Sequence, residues 1–462
     1  MRSSIDRFIV EELSSIVGEE NIVFGLDRVE SYLLDETPPP IRPEPCRDIV
    51  VVKPASTEEV SAILKLASDR MIPVFPRGGG TGLVGGCIPT RSGIVLCLER
   101  MNRIEIDIDN MIAEVEAGAT LHDLIEAADK ADLFFPPHPG DEYAQIGGLI
   151  ACNAGGARAV RTGVMRNYVR GIEAVLPTGD VLKLGGKLLK NNTGYDIMQL
   201  IVGSEGTLAV ITKAFIRLYP KLPFSITMVV PFDSRSKALK TVPAIMKSGI
   251  TPLALEYVER IPVELSASRL GLEWPCRDGE AFLIIILAEQ DEDYLYRLCE
   301  KLLDICLEFG SFEPIVAERR DEQDRILKIR SEIYTALKPG MVDILDVTVP
   351  PASIGLLMDR VEEIARSYGT YLPAYGHAGD GNIHVHIMRE EGWDTRIYDD
   401  IRDRIYSVAL ELGGVITGEH GIGFVRKSSL LRFSNPVYID LIRRIKQIFD
   451  PNNILNPDKL LP

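Results

Sequence analysis

The sequence predicts an α+β protein of several domains. A glycine-rich N-terminal half leads into a domain whose antiparallel sheet is covered by helices, and a helical segment closes the chain. A β-α-β unit opens at Ile49, and three glycine-rich segments follow it in order. Beyond Pro220 and Pro223, strand-like and helix-like stretches alternate. With 462 residues the chain exceeds one ordinary core, and the 46% hydrophobic content is ample for several.

Taken in order, residues 1–43 read as a helical lead. Ile5, Phe8, Ile9, Leu13, Ile16 and Val17 mark one face of an amphipathic helix, and Thr37–Pro43 is a proline-rich link. Ile49–Val52 is a strand, Ser56-Thr57-Glu58-Glu59 starts a helix to Arg70 with a capping box, and Ile72–Phe75 is the next strand. Ile94 to Ala117 is strand-like, and Thr120 caps a helix to Ala131. Residues 134–170 are dense in glycine, proline and small residues; a segment that long with so little periodicity is expected to carry function. Ile172–Leu184 reads as two strands around Pro177-Thr178-Gly179-Asp180, with strands continuing to about Tyr219. The second half alternates through Ile226–Pro231, Ser236–Lys247, Phe282–Ala288, Tyr294–Phe309, Asp321–Leu337 and Ile354–Ser367, and Leu430–Phe449 is helical. The domain boundaries this implies are 1–43, 44–222, 223–410 and 411–462.

A net charge of −16 argues against a nucleic-acid or anionic-membrane surface. It leaves room for an anionic cofactor, because backbone N–H groups hold phosphates without net positive charge. The seven cysteines are scattered and form no C-x-x-C, which reads as reduced intracellular thiols. The N-terminus lacks a signal-peptide pattern, and the apolar run Ala281–Ala288 is too short to span a bilayer. A cytoplasmic protein is expected, with peripheral docking at the inner face of the membrane left open.

The first glycine-rich segment, Pro76–Gly86, contains G-x-G-x-x-G from Gly80 to Gly85. An NAD-binding motif of that form must open a helix. Here Cys87-Ile88-Pro89-Thr90 and a strand follow, so the loop reads as a nest of N–H groups around a pyrophosphate. The second runs from Pro136 to Asp141 and from Ile146 to Gly156; the absence of bulk lets a flat ligand lie against backbone. The third is Gly194-Tyr195-Asp196 with Leu200–Thr212. Three such loops without the NAD context favour an extended dinucleotide such as FAD.

The chemistry lies further on. Gly376–His386 holds three of the six histidines, His377, His384 and His386, and His420 follows Glu419 in a second glycine-rich frame. Imidazole with carboxylate is the ligand set of Zn²⁺ and similar divalent ions, and a remaining histidine can move protons near neutral pH. A Gly-Asp-Gly turn can bring two histidines seven apart together, whereas a continuous strand would place them on opposite faces. Alternation puts His386 on the strand face of His384.

In this combination the chain resembles the vanillyl-alcohol-oxidase type flavoproteins. Within them it is similar to the branch holding D-lactate dehydrogenases, glycolate oxidase catalytic subunits and D-2-hydroxyglutarate dehydrogenases. The resemblance covers roughly residues 44–462. It implies a two-part FAD-binding domain, an antiparallel-sheet cap over the isoalloxazine, and a C-terminal segment returning to the FAD side. The cofactor positions implied are Pro76, Arg77, Gly78, Gly79, Gly80, Thr81, Gly82 and Leu83 in the first loop. Pro139, Gly140, Ile146, Gly147, Gly148, Asn153, Gly155 and Gly156 follow in the second, then Glu205, Gly206, Ile211 and Asn456. Thr81 stands where some relatives carry a flavin-linking histidine, so non-covalent FAD is implied.

The resemblance also assigns His377, His384 and Glu419 to a divalent metal (Zn²⁺ first, with Mn or Fe as alternatives), His420 to the general base and Arg330 to the substrate carboxylate. Tyr334 and His386 would line the substrate. The 2-hydroxyglutarate enzymes have threonine at the place of Tyr334 and a lysine near the next strand, where this chain has Ile344 and Leu345; a monocarboxylate is therefore favoured. The expected activity is oxidation of a D-2-hydroxy acid such as D-lactate to the 2-oxo acid, with hydride passing to flavin N5. Glycolate oxidation and D-2-hydroxyglutarate oxidation are the alternatives. A non-catalytic electron-transfer flavoprotein subunit is the contrasting class. With no C-x-x-C, electrons are expected to pass to a separate electron-transfer flavoprotein, an iron–sulfur subunit or a quinone. A homodimer is left open.

Overall fold

The computed structural model describes Ile5 and residues 7–461. Its first sheet runs Ile22–Phe24, Ile49–Val52, Gly93–Cys97, Val74–Arg77; the edge strand Ile22–Phe24 is antiparallel and the others are parallel. The parallel pairs need a crossover, and the helix Thr57–Arg70 supplies one, capped by Ser56 accepting from the Glu59 amide. The N-terminal lead is therefore not purely helical: after the helix Arg7–Val17 it contributes a strand to this sheet.

The second sheet is antiparallel, in the order Ile104–Asp107, Ile112–Glu116, Val210–Arg217, Val169–Val175, Val181–Gly185. The small-residue stretch 134–170 holds two short helices, Ile146–Ala151 and Ala159–Thr162.

The third sheet is antiparallel throughout and seven-stranded: Ile315–Ala317, Phe224–Phe232, Ala281–Glu289, Ala254–Glu259, Ala374–His377, Asn382–Met388, Met341–Thr348. Helices Arg235–Lys247, Glu292–Glu308 and Ile354–Tyr368 bury Leu239, Val242, Leu302, Leu357 and Val361 against Met228, Leu283 and Ile285. Each such side chain contributes about 1.5–3 kcal/mol, which makes the sheet a stiff platform.

Two long helices expected from the sequence are interrupted. Asp321–Leu337 is Arg320–Ser331 followed by Ile333–Leu337. Leu430–Phe449 divides into Lys427–Phe433 and Pro436–Phe449, because Pro436 lacks the N–H that a continuing helix needs and instead starts a new one capped by Asn435. After the last helix the chain returns to the first sheet, where the Asn456 amide donates to Val74 O at 2.7 Å. Among the described residues no helix is long and apolar enough to cross a membrane.

Candidate active site

One face of the large sheet carries the site. Cross-strand register sets His384 opposite both Asp346 and Tyr375. Tyr257 lies opposite Gly376, so its neighbour Glu256 comes beside His377. Between His377 and His384 the chain reverses in a tight turn. Gly381 has φ +91°, and a Cβ there would lie 1.9 Å from Val349 O, so the turn requires glycine. The reversal brings the two rings to 5.4 Å between centroids.

The Glu419-His420 loop is fixed by a buried carboxylate. Asp346 Oδ2 accepts from Thr417 Oγ1 and the Glu419 and His420 amides at 2.8 Å, and from the Gly418 amide at 2.9 Å. Asn382 Nδ2 donates to Oδ1 at 2.8 Å. Burial raises the Asp346 pKa, but His420, His384 and these donors outweigh it and hold it well below the ordinary value. Thus anchored, the His420 ring stacks on His384 at 5.0 Å, 5° from parallel.

Three donor atoms converge. His377 Nε2 is 3.3 Å and His384 Nε2 3.4 Å from Glu419 Oε1. A tetrahedral ion with bonds of about 2.0–2.1 Å needs ligand separations of about 3.3 Å, which each histidine's distance to Glu419 Oε1 matches. The opposite ring nitrogens face carboxylates, His377 Nδ1 at 2.6 Å from Glu256 Oε1 and His384 Nδ1 at 3.4 Å from Asp346 Oδ1. That is the outer support typical of metal-binding histidines. The residues whose ligand atoms all lie within 4.8 Å of one another are Asp346, His384, Glu419 and His420, a set that shares His384 and Glu419 with the expected ligands and does not include His377. Because Oδ2 of Asp346 already accepts from several donors, we read it as the loop's anchor.

Burial alone would lower the His377 pKa, but Glu256 and Glu419 raise it well above the ordinary value. Burial lowers that of His384. Glu419 would be raised by burial, yet His377 and His384 draw it down.

Arg330 reaches the same cluster. Its Nη2 is 2.6 Å from Glu256 Oε2, and its guanidinium lies 4.6 Å over the Tyr375 ring. His386 lies on the face of His384, fully buried, stacked on Tyr375 at 5.0 Å with Nδ1 3.1 Å from Met341 Sδ. Burial holds its pKa well below the ordinary value. The Tyr334 hydroxyl points elsewhere, donating to Glu36 O at 2.8 Å. Ile344 and Leu345 are buried in their strand, and the nearby Lys338 is paired with Glu36.

The glycine loops lie beside this cluster. Among the described residues, no acceptor faces the amides of Gly78, Gly79, Gly80, Thr81, Gly82 or Leu83, an array that fits a pyrophosphate. A Cβ on Gly140 or Gly148 would meet nothing within 4 Å, leaving an open face for a flat ring system. No helix follows the loop; the next element is the strand Gly93–Cys97, which excludes the NAD-type motif. The Arg77 guanidinium packs under the loop, where a Cβ on Gly80 would lie 2.3 Å from its Nη2, and it donates to Leu34 O at 2.9 Å.

The rest of the second segment packs tightly. Ile146 is buried, Gly147 abuts Ala117, Pro139 lies against Gly156, and Asn153 Oδ1 accepts from the Arg166 amide at 3.0 Å. A Cβ on Gly155 would lie 3.0 Å from Glu419 Oε2, so this segment touches the histidine–carboxylate cluster. In the third segment Ile211 is a buried strand residue and Gly206 rests on Pro76. Glu205 accepts from the Ile422 and Gly423 amides at 2.8 and 2.6 Å, tying this segment to the residues after His420. Asn456 Nδ2 closes the arrangement by donating to Gly86 O at 3.0 Å and Glu205 O at 2.9 Å.

Fold and loops together define an FAD-dependent oxidoreductase of the vanillyl-alcohol-oxidase type. The FAD binding domain family matches residues 49–185, and the C-terminal domain of FAD linked oxidases matches residues 222–460. The chain belongs to the FAD-linked oxidases, in the branch of D-lactate dehydrogenases, glycolate oxidase subunits and D-2-hydroxyglutarate dehydrogenases. It is 46% identical to a D-lactate dehydrogenase of Archaeoglobus fulgidus, covering 98% of this chain and 99% of the relative. It is 35% identical to the glycolate oxidase subunit GlcD of Bacillus subtilis, covering 99% and 97%. The solved structure of p-cresol methylhydroxylase with substrate bound superposes with a TM-score of 0.78 at 16% identity, covering 100% of this chain and 98% of that one, and speaks to fold alone.

Glu256 and Asp346 are absent from the sequence reading of the site. Each is a carboxylate flanked by apolar residues, in strands that also carry the buried carboxylates Glu259 and Asp343. Burying a charge is costly unless it is paired, so these strands signal paired carboxylates, but that signal does not single out Glu256 and Asp346 from Glu259 and Asp343.

Proposed function

We propose that this enzyme oxidises a D-2-hydroxy acid, with D-lactate-like monocarboxylates favoured, to the 2-oxo acid. The observation that carries the reading is the convergence of His377, His384 and Glu419 beside Arg330, with His420 stacked on His384. The relationship to D-lactate dehydrogenase supports it. FAD, held non-covalently by the loop amides, supplies the acceptor for the C2 hydride. A divalent cation at His377, His384 and Glu419, Zn²⁺ first, would supply Lewis acidity toward the substrate hydroxyl.

The chain's own residues bind, orient and move a proton. Arg330 presents its guanidinium fork to the substrate carboxylate, with Tyr375 beneath it fixing its plane. His420 accepts the hydroxyl proton. Ile344 and Leu345 offer no charge to a second carboxylate, and Lys338 is held by Glu36, which disfavours 2-hydroxyglutarate. Residues 44–222 would hold FAD, 223–410 would form the cap, and 411–462 would return to the FAD side. Electrons would leave to an electron-transfer flavoprotein, an iron–sulfur subunit or a quinone, with the enzyme in the cytoplasm.

The test is anaerobic flavin reduction across D- and L-2-hydroxy acids, with metal analysis of the same sample. D-lactate is expected to bleach the flavin faster than L-lactate and faster than D-2-hydroxyglutarate. Failure of every D-2-hydroxy acid to bleach it would overturn the reading. Faster reduction by the dicarboxylate would show that another basic residue does what the lysine does in the 2-hydroxyglutarate enzymes.

Metal binding is also expected to depend on pH with a definite sign. His377 sits between Glu256 and Glu419, so its metal-free form keeps its proton to well above the ordinary pKa. A cation must displace that proton. Affinity should therefore rise by about tenfold per pH unit through neutrality, with release of about one proton per ion. Calorimetry in buffers of different ionisation enthalpy measures the release; binding without proton release would remove His377 from the ligand set.

A further inference from the structure

We infer that Glu256 is a positioning residue that holds the carboxylate-binding arginine and the metal-binding histidine in one fixed relation. This rests on the function proposed above and adds a residue to it. Glu256 is 2% exposed and lies on the strand Ala254–Glu259. One oxygen, Oε1, is 2.6 Å from His377 Nδ1, and the other, Oε2, is 2.6 Å from Arg330 Nη2. A single rigid carboxylate thus spans the group that would bind the substrate carboxylate and a group that would hold the ion at the substrate hydroxyl.

The chemistry of the two contacts makes the carboxylate irreplaceable. Oε1 lies within hydrogen-bond distance of His377 Nδ1 and Oε2 forms an ion pair with the Arg330 guanidinium, so the two contacts together call for an anion with two oxygens. Accepting at His377 Nδ1 fixes the tautomer in which Nε2 is free to face Glu419 and bind a cation. The ion pair with Arg330, together with the Tyr375 face at 4.6 Å, sets the position of the guanidinium fork. A 2-hydroxy acid carries its carboxylate and hydroxyl on adjacent carbons. An anchor common to both binding groups therefore selects that spacing over acids whose hydroxyl lies further along the chain.

An amide at this position has one acceptor and one donor, so Glu256→Gln can satisfy only one partner. If its oxygen faces His377, its NH2 opposes the Arg330 guanidinium, and substrate binding weakens while metal is kept. If its oxygen faces Arg330, its NH2 donates to Nδ1, the imidazole proton moves to Nε2, and metal binding weakens instead.

The experiment compares wild type and Glu256→Gln as FAD-loaded holoenzymes. Zn²⁺ affinity is measured by competition with a chromophoric chelator, pyruvate affinity by the flavin difference spectrum, and KM and kcat with D-lactate. FAD content and thermal midpoint report the fold. One of the two affinities is expected to fall by about 10- to 100-fold, the range known for outer supports of metal ligands. A folded Glu256→Gln enzyme matching wild type in both affinities would overturn the inference. Should that variant fail to retain FAD, Glu256→Asp decides: its shorter side chain cannot reach both partners, so a folded enzyme equal to wild type in both affinities overturns the inference equally. If wild type itself binds no Zn²⁺ or is not reduced by D-lactate, the functional reading fails and takes this inference with it.

Discussion

His420→Ala is expected to reduce its flavin with D-lactate roughly 10²–10⁴-fold more slowly than wild type, while keeping FAD and metal. That range is the usual weight of a positioned general base. The imidazole is well placed for the task because two independent contacts fix it: its backbone amide donates to Asp346 at 2.8 Å, and its ring stacks on His384 at 5.0 Å. Its Nδ1 is 4.0 Å from Asp346 Oδ2, so the ring is not locked by a side-chain hydrogen bond. The converging donors on Glu419 come from His377 and His384, so removing the His420 ring should leave them in place. Stopped-flow reduction at saturating D-lactate, with metal and FAD analysis, is the measurement. A slow enzyme that has also lost metal would make His420 a ligand. Reduction at the wild-type rate would remove it from the chemistry, and the structure then offers only a poor substitute, since His386 is fully buried against Met341 and Tyr375.

Much of this arrangement was legible in the sequence because local chemistry dictated it. The Gly80–Gly85 loop could not be an NAD motif once a strand followed it, and the strand Gly93–Cys97 does follow. The histidines seven apart had to be joined by a turn, and Gly381 makes that turn. Helix interruption was harder to see. Pro436 was visible, but its effect depended on Asn435 being free to cap, which local pattern alone does not establish.

The carboxylates Glu256 and Asp346 were illegible for a different reason. Their roles arise from strand pairing between segments far apart in the chain, and neither carries a local motif. Conversely, Tyr334 and Arg77 sit at positions the resemblance marks, yet both side chains are drawn to the N-terminal lead by backbone carbonyls of Glu36 and Leu34. Position in a motif fixes where a backbone goes; the direction of a long side chain depends on what packs above it.

His384→Ala and Glu419→Ala should each lose metal and turnover and retain FAD. Glu419 has the larger expected effect. Its Oε1 is the point on which His377 and His384 converge, at 3.3 and 3.4 Å, so its removal takes away the anionic member of the set and the atom that both imidazoles face. Loss of a ligand should exceed the roughly 10–100-fold cost of losing an outer support, so metal affinity is expected to fall by more than about a hundredfold. The cofactor should survive because the free amides of Gly78–Leu83 belong to a loop in the N-terminal half, and the contact between Gly155 and Glu419 is relieved rather than tightened by the smaller side chain. His384→Ala leaves Asp346 still bonded to the Thr417–His420 loop, so the loop should hold its shape and the loss should be chemical rather than structural. Metal analysis, the flavin spectrum and steady-state turnover distinguish the outcomes. If both variants stay fully active after chelator treatment, a resident cation has no part in turnover, and the histidine–carboxylate cluster would act through hydrogen bonding and proton transfer alone. If they lose FAD together with metal, the contact through Gly155 couples the two sites more tightly than their separate loops imply.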